Sequence, residues 1–393
     1  MRIAAKYLYL SAEDTPVRNG FVEVDDEGLI LRTGMVPDPS EEDLWIDGAL
    51  VPGFVNGHCH LELSHLKGKF TRLSGMAGFI DQINSLRDSS SREEKIRCLE
   101  NWLDRMWDSG VSALADISNC DDSFAVKASS PMYTRTFIEL FGSEPRDCDA
   151  VMEGARKLLE KAHRRGIDAS ITPHSCYTMS PQLLGEAARA GLSSGFLSYH
   201  SQESSQEEDM IRTGTGELAD TRRKYGMSMP PVRGTSSLEY FLDTVGNPVP
   251  DENAHLLLVH NVCLCEKDAE AALSRFRNVY WAVCPMSNLF IHNTLPPIEL
   301  MRRLGLKILV GTDSLSSNDD LDMVKEMYCL QSNFPEVSLG EIIRWSTLNG
   351  AEFLGREREL GSIEVGKRPG LVALCELDSN GRLTASSYSE RLV

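Results

Sequence analysis

The sequence has no Cys-x-x-Cys pair, no long apolar run and few basic residues relative to acidic ones. Its 10 cysteines are scattered over 393 residues, which indicates free thiols in a reducing compartment rather than a disulfide framework. Lys and Arg total 40 against 58 Asp and Glu, and the net charge of −18 argues against nucleic-acid and anionic-membrane partners. No apolar run approaches the ~18 residues of a membrane span, and the first ten residues lack the features of a signal peptide. We therefore expect a cytoplasmic protein.

The sequence does contain a unit that recurs eight times: a short apolar run, a reactive polar residue and a helical segment. The apolar runs cover residues 51–55, 111–115, 133–138, 169–171, 195–199, 256–259, 279–283 and 306–310. The polar residues that follow them are His58 with His60, Asp116, Glu139, His174, His200, His260, Cys284 with Ser287, and Asp313. Because parallel strands need crossover helices, the pattern predicts an α/β chain folded as a (β/α)8 TIM barrel. A doubly wound sheet shares this rhythm and is the alternative.

Strand-like segments at both ends predict a small β-sandwich domain built from the two termini. Residues 21–24, 29–31 and 371–374 carry this signal most clearly. The expected division is therefore 1–50 and 356–393 for the two parts of the small domain and 51–355 for the barrel. The interval between His200 and His260 is longer than the others, and residues 201–255 are either a lid over the site or a surface insertion.

Three imidazoles and a carboxylate predict a metal site where the strands end. His58 and His60 are two residues apart in an extended segment, so their side chains point the same way and can reach one ion. His200 supplies a third imidazole and Asp313 a carboxylate oxygen. This donor set suits one divalent ion, zinc first and iron as the alternative, with a position left for a water whose pKa falls to about 7.

Further polar residues are candidates for acid–base and substrate roles. Glu203 lies three residues after His200, one helical turn away, so we expect it to face the same pocket and shuttle a proton to the substrate. His260 can orient or polarise the water. Glu62 is expected to point to the pocket by strand parity, either to contact substrate or to support the metal ligands. Asn288 either contacts substrate or satisfies a strand end.

Several motifs surround these residues. They are Pro-Gly-Phe-Val-Asn-Gly-His-Cys-His at 52–60, His-x-x-Glu at 200–203, Leu-Val-His-Asn at 258–261, Cys-Pro-Met-Ser-Asn at 284–288, Gly-Thr-Asp-Ser at 311–314 and Gly-Ser-Ile-Glu-Val-Gly-Lys-Arg-Pro-Gly at 361–370. Together they resemble the amidohydrolase superfamily over nearly the whole chain, and the His-x-x-Glu pair resembles its deaminase branch. Glu139 and the segments 173–177 and 312–318 are most similar to sequences assigned to aminodeoxyfutalosine deamination.

The resemblance implies roles for individual residues. The metal ligands would be His58, His60, His200 and Asp313. The catalytic residues would be Glu203, which protonates the ring nitrogen and then the leaving amine, His260, which assists the attacking water, and Asp313. The expected substrate contacts are Glu62, Glu139, His174 and Asn288.

The number of metal ions is also suggested by the resemblance. Many relatives hold two metals bridged by a carboxylated lysine on the third or fourth strand. This chain has no Lys between Lys127 and Lys157 or between Lys161 and Lys224, which favours one metal. Glu139 leaves a second ion open, because a third-strand glutamate is a ligand in some members.

These observations predict a metal-dependent hydrolytic deaminase. Hydroxide formed at the metal attacks the amine-bearing carbon of an aminated heterocycle, and ammonia leaves. The expected partner is a small-molecule substrate, an adenine nucleoside derivative such as aminodeoxyfutalosine. The alternatives are hydrolysis of a cyclic amide, an imidazolone or an N-acyl bond, and a barrel that has lost catalysis and serves as a scaffold. A homodimer is left open.

Overall fold

The computed structural model describes residues 1–11, 14–36 and 44–393 and shows the mixed α/β content that the sequence predicts. Within these ranges the strands are β1 (Arg2–Leu8), β2 (Val17–Val24), β3 (Ile30–Met35), β4 (Trp45–Pro52), β5 (Phe54–Cys59), β6 (Val111–Ser118), β7 (Tyr133–Leu140), β8 (Asp168–Pro173), β9 (Phe196–Ser201), β10 (His255–His260), β11 (Asn278–Val283), β12 (Lys307–Val310), β13 (Leu371–Cys375) and β14 (Tyr388–Arg391). The α-helices are α1 (Gly75–Leu86), α2 (Arg92–Asp108), α3 (Phe124–Ser129), α4 (Cys148–Arg164), α5 (Pro181–Ser193), α6 (Ser205–Thr213), α7 (Glu217–Lys224), α8 (Ser237–Val245), α9 (Glu266–Arg275), α10 (Pro285–His292), α11 (Ile298–Arg303), α12 (Met323–Asn333), α13 (Leu339–Trp345) and α14 (Leu348–Phe353).

Both termini contribute to one mixed sheet with the strand order β14-β13-β4-β1-β2-β3. The assignment of residues 51–55 to the first barrel strand is wrong for Val51 and Pro52, which end β4 and pair with β13. The chain leaves this sheet at Gly53, where a Cβ would lie 2.5 Å from the carbonyl oxygen of Pro369. A residue without a side chain is needed for this close approach, and β5 begins at the next residue.

The strands β5 to β12 correspond to the eight predicted runs and form two parallel sheets, with orders β5-β6-β7-β8 and β12-β11-β10-β9. A parallel bridge between Cys59 and Asp313 connects β5 to the chain just after β12. On the opposite side, the N–H of His200 in β9 donates to the carbonyl oxygen of His174, just after β8, at 3.0 Å. Residues that follow these parallel strands are therefore brought to a common end.

Two helix starts are stabilised by capping residues. At α5 the Ser180 hydroxyl accepts the Leu183 N–H, and Pro181 is the first helical residue. At α13, Ser338 and Glu341 form a reciprocal capping box. These hydrogen bonds join residues three apart in the chain, so they depend on local sequence alone. Among the helices of the described residues, none combines the length and the apolar composition of a membrane span.

The segment 201–255 carries α6, α7 and α8 between β9 and β10. Met210 of α6 and Leu218 of α7 pack in one apolar cluster with Met76 of α1 and with Tyr177. The segment therefore supports α1 and the loop that carries Tyr177. The alternatives of a lid and a surface insertion remain predictions.

Candidate functional site

His58 and His60 come together because of the way in which β5 ends. His58 lies in the strand and is fully buried, and His60 follows two residues later. The centroids of the two imidazole rings are 4.9 Å apart. The backbone N–H groups of Thr312 and Asp313 both donate to the His58 carbonyl oxygen at 3.0 Å, so the chain after β12 is fastened to this pair.

A third imidazole and a carboxylate reach the same point from distant segments. His200, in β9, has its Nε2 3.2 Å from His60 Nε2. The Oδ1 of Asp313 lies 3.9 Å from His58 Nε2 and 3.7 Å from His60 Nε2. The other Asp313 oxygen accepts a hydrogen bond from the Ser287 hydroxyl at 2.6 Å. One carboxylate oxygen is thus held by the protein while the other faces the imidazoles.

This donor set fits a divalent metal ion. One ring nitrogen from each of His58, His60 and His200 lies within 4.8 Å of the others. Both ring nitrogens of His58 and the Nδ1 of His60 are buried without a hydrogen-bond partner among the described residues. Burial lowers the pKa of His60 and of His200 to about 3 and the pKa of His58 well below its usual value. The three rings are therefore neutral at pH 7, the form that binds a metal, so they could hold one.

Gly311 lets the chain after β12 pass directly against His58. A Cβ at this position would lie 2.8 Å from the His58 backbone nitrogen and 2.9 Å from its carbonyl oxygen. We predict that Gly311→Ala displaces His58, lowers the metal content and reduces the free energy of unfolding by about 2 kcal/mol. The matched control is Gly154→Ala in α4, where an added Cβ meets nothing within 4 Å.

The control variant should keep its metal and gain roughly 0.5–1 kcal/mol of stability, because alanine favours a helix interior over glycine. Elemental analysis and thermal unfolding measure the two effects. Full metal content in Gly311→Ala would show that this close approach does not position His58.

Glu203 faces the site, although not by the route that the sequence suggested. The expectation that it lies one helical turn from His200 is wrong, because Glu203 lies between β9 and α6 and belongs to neither. Gln202 adopts a left-handed φ of 50°, and this turn redirects the chain. The Glu203 Oε1 is consequently 3.5 Å from His260 Nε2.

Tyr177 holds the second oxygen of Glu203 and was not predicted. Its hydroxyl donates to Glu203 Oε2 at 2.8 Å. Burial raises the pKa of Glu203 well above its usual range, and the nearby Asp313 carboxylate adds to the rise. Burial thus favours the protonated form of Glu203, and its Oε1 is left facing His260. No local pattern marks Tyr177 for this contact, since its partner lies 26 residues away.

Two of the predicted substrate contacts line the cavity at this site. The ring of His174 stacks on that of His200, with centroids 4.4 Å apart. The Glu139 Oε1 lies 3.4 Å from the His200 Nδ1, and burial raises the pKa of Glu139 to about 8. Glu139 thus borders the third imidazole at Nδ1, while Nε2 faces His60, and His174 covers one face of the ring.

The other two predicted substrate contacts have protein partners. The expectation of strand parity is wrong for Glu62, because β5 has ended and Glu62 lies in a 3-10 turn, Leu61–Leu66. Its carboxylate accepts the Asn119 N–H at 2.9 Å. Asn288 is fully buried in α10, with its Nδ2 3.2 Å from His260 Nδ1. Whether either side chain contacts substrate remains a prediction.

The cavity combines a polar floor with an apolar wall that the sequence did not indicate. The floor is formed by His60, Glu139, His174, His200, Glu203, His260 and Asp313. The apolar wall is formed by Leu63, Met76, Phe79, Ile80, Ile83 and Phe141. Most of the wall comes from α1. The spacing of apolar residues shows which face of a helix is buried, but not whether that face borders the core or a cavity.

Comparisons with known proteins agree with this architecture. Residues 49–385 match the model of the Amidohydrolase family. A 5-methylthioadenosine/S-adenosylhomocysteine deaminase of Bacillus cereus (strain AH187) is 24% identical over 385 residues, covering 93% of this chain and 82% of that protein. The crystal structure of Helicobacter pylori aminofutalosine deaminase in complex with methylthio-coformycin aligns with a TM-score of 0.78 at 22% identity, over 98% of this chain and 93% of that one.

A further solved structure is that of an adenosine deaminase from Xanthomonas campestris with bound zinc. It aligns with a TM-score of 0.72 at 22% identity, over 95% of this chain and 84% of that one. At these identities the structural likeness shows the fold alone. The family match spans most of the sequence and includes every segment that forms the polar floor of the cavity. The chain therefore belongs to the Amidohydrolase family.

Proposed function

We propose that this protein is a metal-dependent hydrolase that removes an amine from an aminated heterocycle as ammonia. The observation that carries the proposal is the buried acid Glu203, with its Oε1 3.5 Å from His260 Nε2 in the cavity that holds the convergent imidazoles. An amine is a poor leaving group until it is protonated, so a positioned acid is what the reaction requires. The deaminases of Bacillus cereus and Helicobacter pylori named above support this reaction class.

We infer that His58, His60, His200 and Asp313 hold one divalent ion. Zinc is the first candidate, because it suits these ligands and is bound in the Xanthomonas campestris deaminase, and iron suits them as well. Such an ion, when bound, lowers the pKa of a water ligand to about 7 and so supplies a nucleophile at neutral pH. Glu139 is the candidate ligand for a second ion, and the metal content per chain distinguishes the two stoichiometries.

Side chains of the chain itself move the protons. Asp313 accepts at Oδ1 a proton from the attacking water. Glu203 donates from Oε1 to the ring nitrogen next to the amine-bearing carbon, takes up the water proton that Asp313 received, and donates it to the amine. The bond between the carbon and the amine then breaks, ammonia leaves, and the proton of the hydroxyl group added to the carbon returns to Glu203 as the ring carbonyl forms. The neutral imidazole of His260 holds the water through Nε2. One water is consumed, and the products are the ring carbonyl compound and ammonia.

Substrate binding is assigned to the groups that line the cavity. His174 and Glu139 are proposed to contact the heterocycle or its substituent directly. For Glu62 and Asn288 the contacts in place are with Asn119 and with His260. We expect these two residues to influence the substrate through those partners or by contact.

The apolar wall favours a nucleoside with an apolar substituent over an unsubstituted one. Burial of apolar surface stabilises a complex by roughly 25 cal/mol per Å², so a buried methylthio group is worth about 1.5 kcal/mol. We therefore predict that kcat/KM for 5′-methylthioadenosine, and for aminodeoxyfutalosine, exceeds that for adenosine by about tenfold. Ammonia release by metal-replete protein measures all three.

The same assay tests the proposed function itself. Ammonia release from none of the three nucleosides, together with hydrolysis of a cyclic amide or an N-acyl amine, would favour the alternative amidohydrolase. Absence of both activities and of bound metal would favour the scaffold. Equal kcat/KM values for adenosine and 5′-methylthioadenosine would contradict the role of the apolar wall.

We also propose that β5 to β12 close into one (β/α)8 barrel. The contacts that join β5 to the end of β12 and β8 to β9 support closure on both sides. The division into 1–50, 51–355 and 356–393 and the β-sandwich form of the small domain are part of this proposal. A cytoplasmic location and a homodimer remain predictions from the sequence.

A further inference from the structure

Glu207 is a buried carboxylate that the proposed reaction does not use. It lies in the first turn of α6 and has no exposed surface. Its Oε2 accepts the backbone N–H of Glu203 at 2.7 Å, and its Oε1 accepts the backbone N–H of Gln202 at 3.1 Å. The Cys176 thiol donates to Oε1 as well, at 3.4 Å. The Glu207 carboxylate therefore holds the backbone N–H of Glu203, the residue that we propose as the acid.

This arrangement differs from an ordinary helix cap. In a capping box the glutamate at the third helical position bonds the N–H of the N-cap residue, as Glu341 does with Ser338 at 3.1 Å. The N-cap of α6 is Ser204, yet the Glu207 carboxylate reaches one and two residues further back. The two hydrogen bonds therefore stabilise the turn before α6 rather than the N-terminus of the helix.

The turn that Glu207 stabilises also orients the Glu203 side chain. Gln202 has a left-handed φ of 50°, which is unfavourable for a residue with a side chain and persists only where its surroundings hold it. The Gln202 side chain is fixed on the other side by its Nε2, which donates to Asp268 at 2.8 Å. Release of the backbone N–H groups would let this turn relax and move the Glu203 carboxyl group away from His260.

Glu207 is an acidic group with no exposed surface. Burial raises the pKa of Glu207 to about 7, and the hydrogen bond from the Glu203 N–H opposes that rise. A carboxylate without solvent contact is expensive to bury unless its acceptors are used. A purely structural anchor could be made by a neutral side chain at lower cost.

We propose that Glu207 is a positioning residue that places the Glu203 carboxyl group for proton transfer by holding the backbone N–H groups of Gln202 and Glu203. This inference rests on the proposed role of Glu203 as the acid. Because Glu203 acts only in the chemical step, a misplaced carboxyl group lowers kcat and leaves KM and metal binding unchanged.

The test compares Glu207→Gln with Glu341→Gln, which removes the ordinary capping-box carboxylate of α13 as a matched control. A glutamine offers one acceptor oxygen where two N–H groups need one each. We expect kcat to fall on the order of 10- to 100-fold in Glu207→Gln, with KM and metal content within about twofold of the wild type. We expect Glu341→Gln to keep kcat within about twofold.

Hydrogen exchange followed by mass spectrometry supplies a readout that does not depend on turnover. The peptide containing Gln202 and Glu203 should exchange faster in Glu207→Gln and at the wild-type rate in Glu341→Gln. If Glu207→Gln does not fold, Glu207→Asp serves instead, since its carboxylate is one methylene too short to reach both N–H groups, and the same kcat loss is expected.

Each outcome decides the inference. Wild-type kcat in a folded Glu207 variant overturns it, as does a parallel loss of metal and kcat, which would indicate general collapse of the site. If the wild-type protein releases no ammonia, the proposed function fails separately. In that case, unchanged hydrogen exchange at Gln202 and Glu203 in Glu207→Gln overturns the inference. Faster exchange confined to the peptide that contains these two residues supports the role of Glu207 in holding their N–H groups.

Discussion

Replacement of Glu203 by glutamine is expected to reduce ammonia release by a factor on the order of 10³ while the metal stays bound. Glutamine has nearly the same shape, and its amide oxygen can still accept the hydrogen bond from the Tyr177 hydroxyl. It carries no acidic proton for the ring nitrogen or the leaving amine, and a positioned acid contributes about 10²- to 10⁴-fold. Steady-state ammonia release and elemental analysis of the same sample measure both quantities.

The matched control for this variant is Glu208→Gln, which changes an acid five residues further along the chain. The Glu208 Oε1 accepts the N–H and hydroxyl of Ser237 and the side-chain amide of Gln202, and its Oε2 pairs with Arg212. A glutamine oxygen can keep the contacts of Oε1, and Glu208 does not line the cavity. We expect its turnover to stay within about twofold of the wild type. Loss of metal from Glu203→Gln would contradict the assigned role, because it would make Glu203 a ligand rather than the acid.

Replacement of His60 by alanine is expected to remove the metal and with it all turnover. His60 Nε2 lies 3.2 Å from His200 Nε2 and 3.7 Å from Asp313 Oδ1, so its loss opens the centre of the donor set. We expect the affinity for zinc to fall by more than about 100-fold. Loss of a group that only orients a metal ligand lowers the affinity by up to about 100-fold, and loss of a ligand itself should cost more. Competition with a chromophoric chelator measures the affinity, independently of catalysis.

His65→Ala is the control for this effect, five residues further along the chain. The two ring nitrogens of His65 lie 3.2 Å from the carbonyl oxygen of Glu62 and 2.9 Å from that of Arg87, so its contacts are with backbone atoms. We expect it to lose some stability, about 1 kcal/mol for the one hydrogen bond that a neutral imidazole can donate, and to keep its metal. Equal metal loss in His60→Ala and His65→Ala would mean that any cavity near this turn disrupts the site.

Prediction from the sequence succeeded where a short stretch of chain decides the geometry. The alternation of side chains in an extended segment places His58 and His60 together, with ring centroids 4.9 Å apart. Prediction failed where the geometry of a strand or helix was assumed for residues that lie outside it. Glu62 lies beyond the end of β5, and Glu203 lies in a turn rather than on a helix with His200.

Other parts of the site have no local signature. Tyr177 reaches Glu203 from the loop after β8, and the apolar wall comes mainly from α1, which the repeating strand pattern does not include. The Glu207 carboxylate resembles a helix cap in sequence and is distinguished from one only by the N–H groups that it reaches. Contacts of this kind depend on how loops of unrelated sequence pack over the strand ends.

By itself, the sequence determined the order of the eight strands along the chain and the polar residues at or just after their ends, because each of these depends on neighbours a few residues apart. Tertiary structure alone decided which oxygen of Glu203 is free, which wall the substrate meets and how Gly311 brings Asp313 against His58. These features require atoms from distant segments to lie within a few ångströms of one another, and the packing of the whole chain sets such distances.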